Sequence, residues 1–283
     1  MSKSRVLTAQ KSMAELSLVS PWAFFSLSEG GVDGLGTSTV AANDSRATTL
    51  VDLPMNTAIT NQWTAKNGWW TGDGVDSCFV QPWTSDTTAL DQVFKINQGA
   101  MLIWGAVDIT ATATGRIFYM GQNKGSSPYL INGFEVIVET DKVKARFSSS
   151  GDTYVVATSN GTIADGTEHI FACLVDHRAS VQQAIMYDNV AGAGTMTAGT
   201  AVSTSSEGAI TGGVTNANKK LLIGASLNGS QSLSNFLGTI AAASVRRLGF
   251  INFGTSGPPA NVSQIITDLE ASGGIPVESM NGV

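Results

Sequence analysis

Glu135 and Glu139, in the segment Glu135-Val136-Ile137-Val138-Glu139, stand four positions apart. Side chains on a strand alternate with a period of two, so both carboxylates share one face. A carboxyl pair on one face is what a retaining glycoside hydrolase needs, one as nucleophile and one as proton donor, provided their surroundings set the two acidities apart. The residues that follow argue against that chemistry, because they complete a hairpin. With Thr140-Asp141 at the tip, Val138 faces Val143, Val136 faces Ala145 and Phe134 faces Phe147 on one side. On the other side Glu139 faces Lys142 and Glu135 faces Arg146. A one-residue slip would spoil both faces, so the register is well specified. A cation opposite each glutamate keeps both ionised, and the expectation is a solvated ladder of ion pairs. Exposed pairs are worth about 0.2–1 kcal/mol each, so Glu135→Gln is expected to leave folding intact. Thr-Asp is not a favoured two-residue turn, so a loose tip is expected.

The remaining reactive side chains form no constellation. His169 and His177 have no Asp-Ser or Cys-Cys arrangement beside them, and they read as core or surface histidines. Asp73, Asp76 and Asp188 are the candidates for a calcium site, yet calcium takes six or more oxygens and no compact acidic loop supplies them. Gly30 to Gly36 and Gly192 to Gly194 lack the Lys-Ser/Thr tail and the strand–helix setting of a phosphate loop. No catalytic residue, cofactor or metal is therefore expected. Trp63, Trp69, Trp70 and Trp83 cluster in sequence; core packing is the default for such rings, and any that are exposed are candidates for glycan stacking or a protein contact.

Composition fits this picture. The chain has 283 residues, 31 glycines, 42% apolar residues and only 13% charged ones, which suits a large β-domain with short polar loops and excludes disorder. A net charge of −6 argues against nucleic acid, whose phosphates call for basic patches. Lys219-Lys220 and Arg246-Arg247 read as solvated strand edges or ends. Two cysteines, Cys78 and Cys173, make no disulfide framework; Cys173 reads as a small buried hydrophobe, pointing to synthesis in a reducing compartment. The first twenty residues carry no continuous apolar stretch, and no run approaches a membrane span, so neither a secretory leader nor a membrane partner is expected.

These side chains need strands to carry them, and short strands arrive at regular spacing. They read as Ser77 to Gln81, Met101 to Thr110, Arg116 to Gly121, Phe134 to Glu139, Lys142 to Phe147, Thr153 to Thr158, His169 to Asp176, Ala184 to Tyr187, Leu221 to Ala225 and Gly238 to Phe250. Pro21 to Phe25 is an earlier core-like element, and Ser28 to Thr49 reads as a loop. Turn signals such as Gly151-Asp152, Asn160-Gly161 and Asp188-Asn189 separate the strands, a pattern of sandwiches and barrels. In His169 to Val175, Phe171, Cys173 and Val175 point one way and Ile170, Ala172 and Leu174 the other; Met101 to Val107 behaves alike. A second apolar face needs a cover: a loop layer, a terminal arm or another subunit. Near the end, Val262, Ile265, Ile266 and Leu269 make a helical stripe, with Asn261 as cap and Gly273-Gly274 as stop.

Four segments together resemble the laminin-G-like, or concanavalin-A-like, jelly roll. Gly68-Trp69-Trp70-Thr71-Gly72-Asp73-Gly74-Val75-Asp76 is similar to the G-x-D-G-x-D segment before the first long strand of that family. Gly166 to Ala172 occupies the place of its Trp-His strand, with Glu168 where the tryptophan is expected. Ala184-Ile185-Met186-Tyr187-Asp188-Asn189 resembles its Tyr-x-Asp-Gly hairpin. Leu222-Ile223-Gly224 with Phe236-Leu237-Gly238-Thr239-Ile240 resembles its closing pair. The resemblance implies an all-β, concanavalin-A-like jelly-roll β-sandwich over residues 21–283, preceded by an N-terminal arm of residues 1–20 and carrying a short C-terminal helix. Some enzymes of this kind use E-x-D-x-E; here Ile137 replaces the aspartate that would set the two acidities apart.

The resemblance, with the low charge and the arm, leads to a function by contact: a non-catalytic structural protein of a virus particle, a tailed-bacteriophage capsid decoration or other virion surface protein, made in the host cytoplasm. Its partners would be the major capsid protein or another virion protein, and copies of itself. The alternative is a carbohydrate-binding module or adhesin that takes a cell-surface glycan on a concave sheet face and the loop tryptophans. Gly238, at the entry to the last long strand, is expected to be less tolerant of valine than Gly192.

Overall fold

The computed structural model describes residues 22–26, 40–43, 53–54, 64–66, 69–71, 78–82, 94, 96, 98–109, 115–123, 130–149, 154–163, 165–192, 194–208, 220–230, 232–234, 237 and 243–274. The proposed arm, residues 1–20, and Gly238 lie outside them. In chain order the strands are β1 (Trp22–Ser26), β2 (Val40–Asn43), β3 (Leu53–Pro54), β4 (Thr64–Lys66), β5 (Trp69–Thr71), β6 (Phe79–Pro82), β7 (Ala100–Ile109), β8 (Gly115–Asn123), β9 (Leu130–Glu139) and β10 (Lys142–Ser148). They continue as β11 (Val155–Thr158), β12 (Glu168–Asp176), β13 (Gln183–Asp188), β14 (Thr197–Ala198), β15 (Val202–Ser203), β16 (Lys220–Ile223), β17 (Ser226–Leu227), β18 (Leu233–Ser234) and β19 (Ala243–Gly254), before a helix, α1 (Val262–Ala271). Val40–Asn43 forms a strand inside the segment read as a loop.

Two antiparallel sheets make a jelly-roll β-sandwich. The larger has the order β14-β13-β12-β7-β19-β1-β2-β3, with β15 on β13, and β5 joining β4 to β19. The smaller has the order β11-β10-β9-β8-β16-β6. The core between them takes alternate residues from each strand: Met101, Ile103 and Val107 of β7, Phe171, Cys173 and Val175 of β12, and Phe134, Val136 and Val138 of β9. At its centre Phe118 and Phe250 lie 4.5 Å apart between ring centroids, with Phe94 4.9 Å from Phe250. Cys173 lies in this apolar core, and burial pushes its thiol up to about 12.

The hairpin of β9 and β10 has the register read from the sequence, Val138 opposite Val143 through Phe134 opposite Phe147. Its tip is tighter than expected. Thr140 (φ 54°) and Asp141 (φ 61°) both adopt the left-handed conformation that a two-residue hairpin turn requires. The segment 159–163 holds them there: the Ile163 amide donates to the Asp141 carbonyl at 2.9 Å, and Lys142 Nζ reaches the carbonyls of Ser159 and Asn160.

The second apolar face of β7 and β12 is covered from within the chain. Ala100, Leu102 and Trp104 of β7, Ala172 and Leu174 of β12, and Ile251 and Phe253 of β19 pack against Ile265, Ile266 and Leu269 of α1. Among the described residues the cover is this helix, with Met196 and Tyr187 beside it. Asn261 holds the N-cap position but makes no side-chain capping bond, contrary to expectation. The other end closes as read. The Gly273 amide bonds to the Glu270 carbonyl at 2.9 Å and the Gly274 amide to Leu269 at 2.6 Å, both glycines at positive φ, which is a Schellman stop. Trp104, fully buried, donates its indole N–H to the Gly274 carbonyl at 2.9 Å and so ties the end of α1 to the middle of the sheet.

Candidate functional site

The Glu135/Glu139 pair lies on the outer face of the six-stranded sheet, where β8, β9 and β10 run side by side. A register shift between Arg116 and Phe118 turns Ile117 and Phe118 into the core and leaves Arg116 on that face. Arg116 Nε donates to Glu135 Oε2 at 2.8 Å, and Arg146 Nη1 reaches Oε1 at 3.4 Å. Arg146 Nη2 and Lys144 Nζ both donate to Glu139 Oε2 at 2.7 Å. Lys142 is occupied at the turn, so Glu139 pairs diagonally with Lys144 and Arg146 and not with Lys142. The ladder is also not solvated at its centre: Glu135 is only 5% exposed.

Both carboxylates are engaged by cations on the sheet face. The hydrogen bond from Lys144 holds the Glu139 carboxyl below its ordinary range; partial burial opposes this, and Arg146 adds to it. Glu139 therefore carries no proton to donate at neutral pH. Tyr119, beside the pair, is pushed well above the usual phenol value, first by burial and then by the Glu135 charge, with Arg116 acting against them. It stays a neutral phenol. The burial also reverses the sequence expectation for Glu135→Gln. Removing the charge leaves two largely buried guanidiniums short of a counter-ion, so the variant is expected to lose about 2 kcal/mol or more in chemical denaturation. Unchanged stability would place Glu135 in water.

The other candidates are structural or lie elsewhere. His169 Nε2 is 2.9 Å from Asp165 Oδ1, and His177 Nδ1 is 2.9 Å from Thr204 Oγ1; both rings are buried. Asp188 is buried, with Oδ2 accepting from the Asn160 amide at 2.6 Å and Oδ1 from Val190 at 3.3 Å, while Asp73 and Asp76 lie outside the described residues. Among the described residues no group of His, Cys, Asp and Glu could hold a metal ion. Trp69 and Trp70 stand in β5, opposite Lys66 and Ala65 of β4; Trp63 and Trp83 lie outside the described residues. Arg246 and Arg247 are not solvated. A bulge at Arg246 turns both toward Glu168, Arg246 at 2.7 Å and Arg247 at 3.8 Å, with Arg246 also 3.0 Å from Asp108.

Asp165 offers a pH test. Partial burial raises its carboxyl pKa, but hydrogen bonds from the Thr167 side chain and amide and from His169 outweigh this and hold it at about 2, against 3.8 ordinarily. A depressed carboxyl pKa stabilises the fold above the unfolded value and loses that contribution as pH falls through the folded one. The melting-temperature gap between the parent and Asp165→Asn is therefore expected to be full at neutral pH and to close between pH 3.8 and about 2. A gap independent of pH would show that the carboxylate charge contributes nothing.

No protein-family model matches the sequence, and no curated protein does. Solved structures match in shape. The binding domain of Paraclostridial Mosquitocidal Protein 1 aligns with a TM-score of 0.56 at 10% identity, over 91% of this chain and 53% of that one. The botulinum neurotoxin serotype D ligand-binding domain in complex with N-acetylneuraminic acid gives 0.54 at 7% identity, over 90% and 52%. The botulinum neurotoxin serotype G binding domain gives 0.52 at 11%, over 86% and 50%. The chain spans about half the length of these structures. At such low identity the likeness concerns the fold alone: this chain is an all-β, concanavalin-A-like jelly-roll β-sandwich with a short C-terminal helix.

Proposed function

We propose that the chain is a non-catalytic binding protein that works by surface contact, and that its setting is the surface of a virus particle, as a tailed-bacteriophage capsid decoration or fibre protein. The observation that carries the non-catalytic reading is the Glu135/Glu139 pair, whose carboxylates are held in ion pairs by Arg116, Lys144 and Arg146. The virion setting is supported by the low charge, by the resemblance in sequence and by residues 1–20, which mix Lys3, Arg5 and Lys11 with Val6, Leu7, Met13, Leu16, Leu18 and Val19. Burying four such side chains against a partner would contribute about 1.5–3 kcal/mol each, the contribution the proposed docking draws on. Because α1 packs on the second apolar face of β7, the contact is sought first on other surfaces of the sandwich.

The test is mass spectrometry of purified particles, with co-sedimentation of the recombinant chain on particles that lack it. Absence from every particle, together with a monomer that docks on none, overturns the virion setting. Deleting residues 1–20 is expected to leave the melting temperature nearly unchanged and to impair docking; a truncated chain that docks normally puts the contact on the strands.

A second reading, a glycan-binding module, is favoured by the fold shared with a domain solved in complex with N-acetylneuraminic acid. A glycan array with no binding removes it.

A further inference from the structure

The outer face of the six-stranded sheet carries an arrangement that catalysis does not account for and that the buried Glu135 pairs explain only in part. Along β10, Lys142, Lys144 and Arg146 point outward at alternate positions, and Arg116 of β8 joins them. Glu135 and Glu139 are the carboxylates that meet them among the described residues, so four cations stand against two anions in a chain whose net charge is −6. Beside this row lies Tyr154, the exposed large hydrophobic side chain among the described residues, at 41%. It precedes Val156, which is opposite Arg146, by two positions, so it shares the same face. The Arg146 guanidinium sits 5.4 Å from the centre of the Tyr154 ring. That guanidinium cannot swing freely, because Glu135 and Glu139 hold its two terminal nitrogens.

We propose that Tyr154, Arg146, Lys144 and Glu139 form a binding site for an acidic saccharide. The proposal rests on the surface-binding reading and gives it a place and a ligand class. An exposed ring backed by a fixed cation is a rigid platform for the C–H face of a sugar, and fixing it beforehand avoids the ordering cost that a mobile aromatic would incur on binding. Glu139 is partly exposed and ionised, so it accepts hydrogen bonds from hydroxyls. Lys144 is held at Glu139 on the same row and supplies the charge for a carboxylate or sulfate. Lys144 is opposite Thr158, four positions along β11 from Tyr154, a span of roughly 13 Å that suits a short oligosaccharide. The excess of cations selects an acidic sugar over a neutral one.

The experiment titrates the full chain with 3′-sialyllactose, a sulfated heparin-derived disaccharide and lactose, followed by calorimetry and saturation-transfer NMR. At least one acidic sugar is expected to bind about tenfold or more tighter than lactose, with affinity falling as salt rises. The sialylated and sulfated probes separate carboxylate from sulfate as the acid group. Tyr154→Ala and Lys144→Gln are each expected to weaken binding about tenfold at unchanged melting temperature. Lactose binding as tightly as the acidic sugars overturns the proposal. So does acidic-sugar binding that both variants retain, which places the glycan elsewhere and leaves the glycan-module reading standing. Binding of none of the three by a chain that still docks on particles overturns the site and leaves the virion setting intact.

Discussion

A chain ended after Pro258 does not reach a cooperative native state. Without α1, Leu102, Trp104, Ala172, Leu174, Ile251 and Phe253 lose the cover on one face of the larger sheet. Ile265, Ile266 and Leu269 are each essentially fully buried there, and burying such side chains is worth about 1.5–3 kcal/mol apiece. Their sum alone is comparable to the 5–15 kcal/mol or so that holds a typical domain together. The truncated chain is expected to be insoluble, or to bind a hydrophobic dye and melt without a sharp transition. Leu269→Ala keeps the helix and isolates one contact; it is expected to cost about 2–5 kcal/mol in denaturant unfolding. A truncated chain that melts as the full one does would show that α1 is dispensable.

Gly249→Val is expected to cost about 3 kcal/mol or more. Gly249 of β19 lies directly opposite Trp104 of β7, and the indole folds over it: a Cβ on Gly249 would sit 2.0 Å from two ring carbons. The ring cannot yield cheaply, because its N–H is bonded to Gly274 and its faces are packed by α1. Moving it breaks the tie to the end of the helix as well. Gly208→Ala is the control, since a Cβ there meets nothing nearer than 3.5 Å, and it should stay within about 0.5 kcal/mol of the parent. Combining Gly249→Val with Trp104→Ala should cost less than the sum of the two, because the second change removes the obstacle the first one meets. Strict additivity would mean that the indole is not what excludes a side chain at Gly249.

How much of this was legible in the sequence depends on how local the determining contacts are. The hairpin of β9 and β10 was readable to the residue, since apolar alternation on one face and opposite charges on the other fix a single register within a dozen residues. The opposed faces of β12 were readable for the same reason. The burial of Glu135 was not, because its strongest partner, Arg116, comes from another strand and is brought outward by a bulge that alternation cannot reveal. Arg246-Arg247 failed likewise: two adjacent cations look solvated until a bulge turns both onto Glu168. The stripe of α1 was visible, and so was the apolar face it covers, but nothing in either segment says that they meet across some 160 residues. Short strands such as β2 to β4, in a stretch rich in Ala, Thr and Asn, carry too few residues to show a period. The tryptophan cluster decided little, with only Trp69 and Trp70 placed, on the backbone of β5.

The position of β19 in the sheet has a consequence for synthesis on the ribosome. Residues 243–254 lie between β7 and β1, so a strand that follows the other described strands of both sheets fills the middle of the larger one. Until it emerges, β1 has no hydrogen-bonded neighbour on that side and β7 presents a bare edge. Until residues 243–254 are made the larger sheet stays open between β7 and β1, a state prone to pairing with other chains. The smaller sheet has no such debt, since β6 to β16 precede β19 and can assemble first. The contacts that β19 and α1 make with β7 are distant in sequence, and contacts of that kind slow folding.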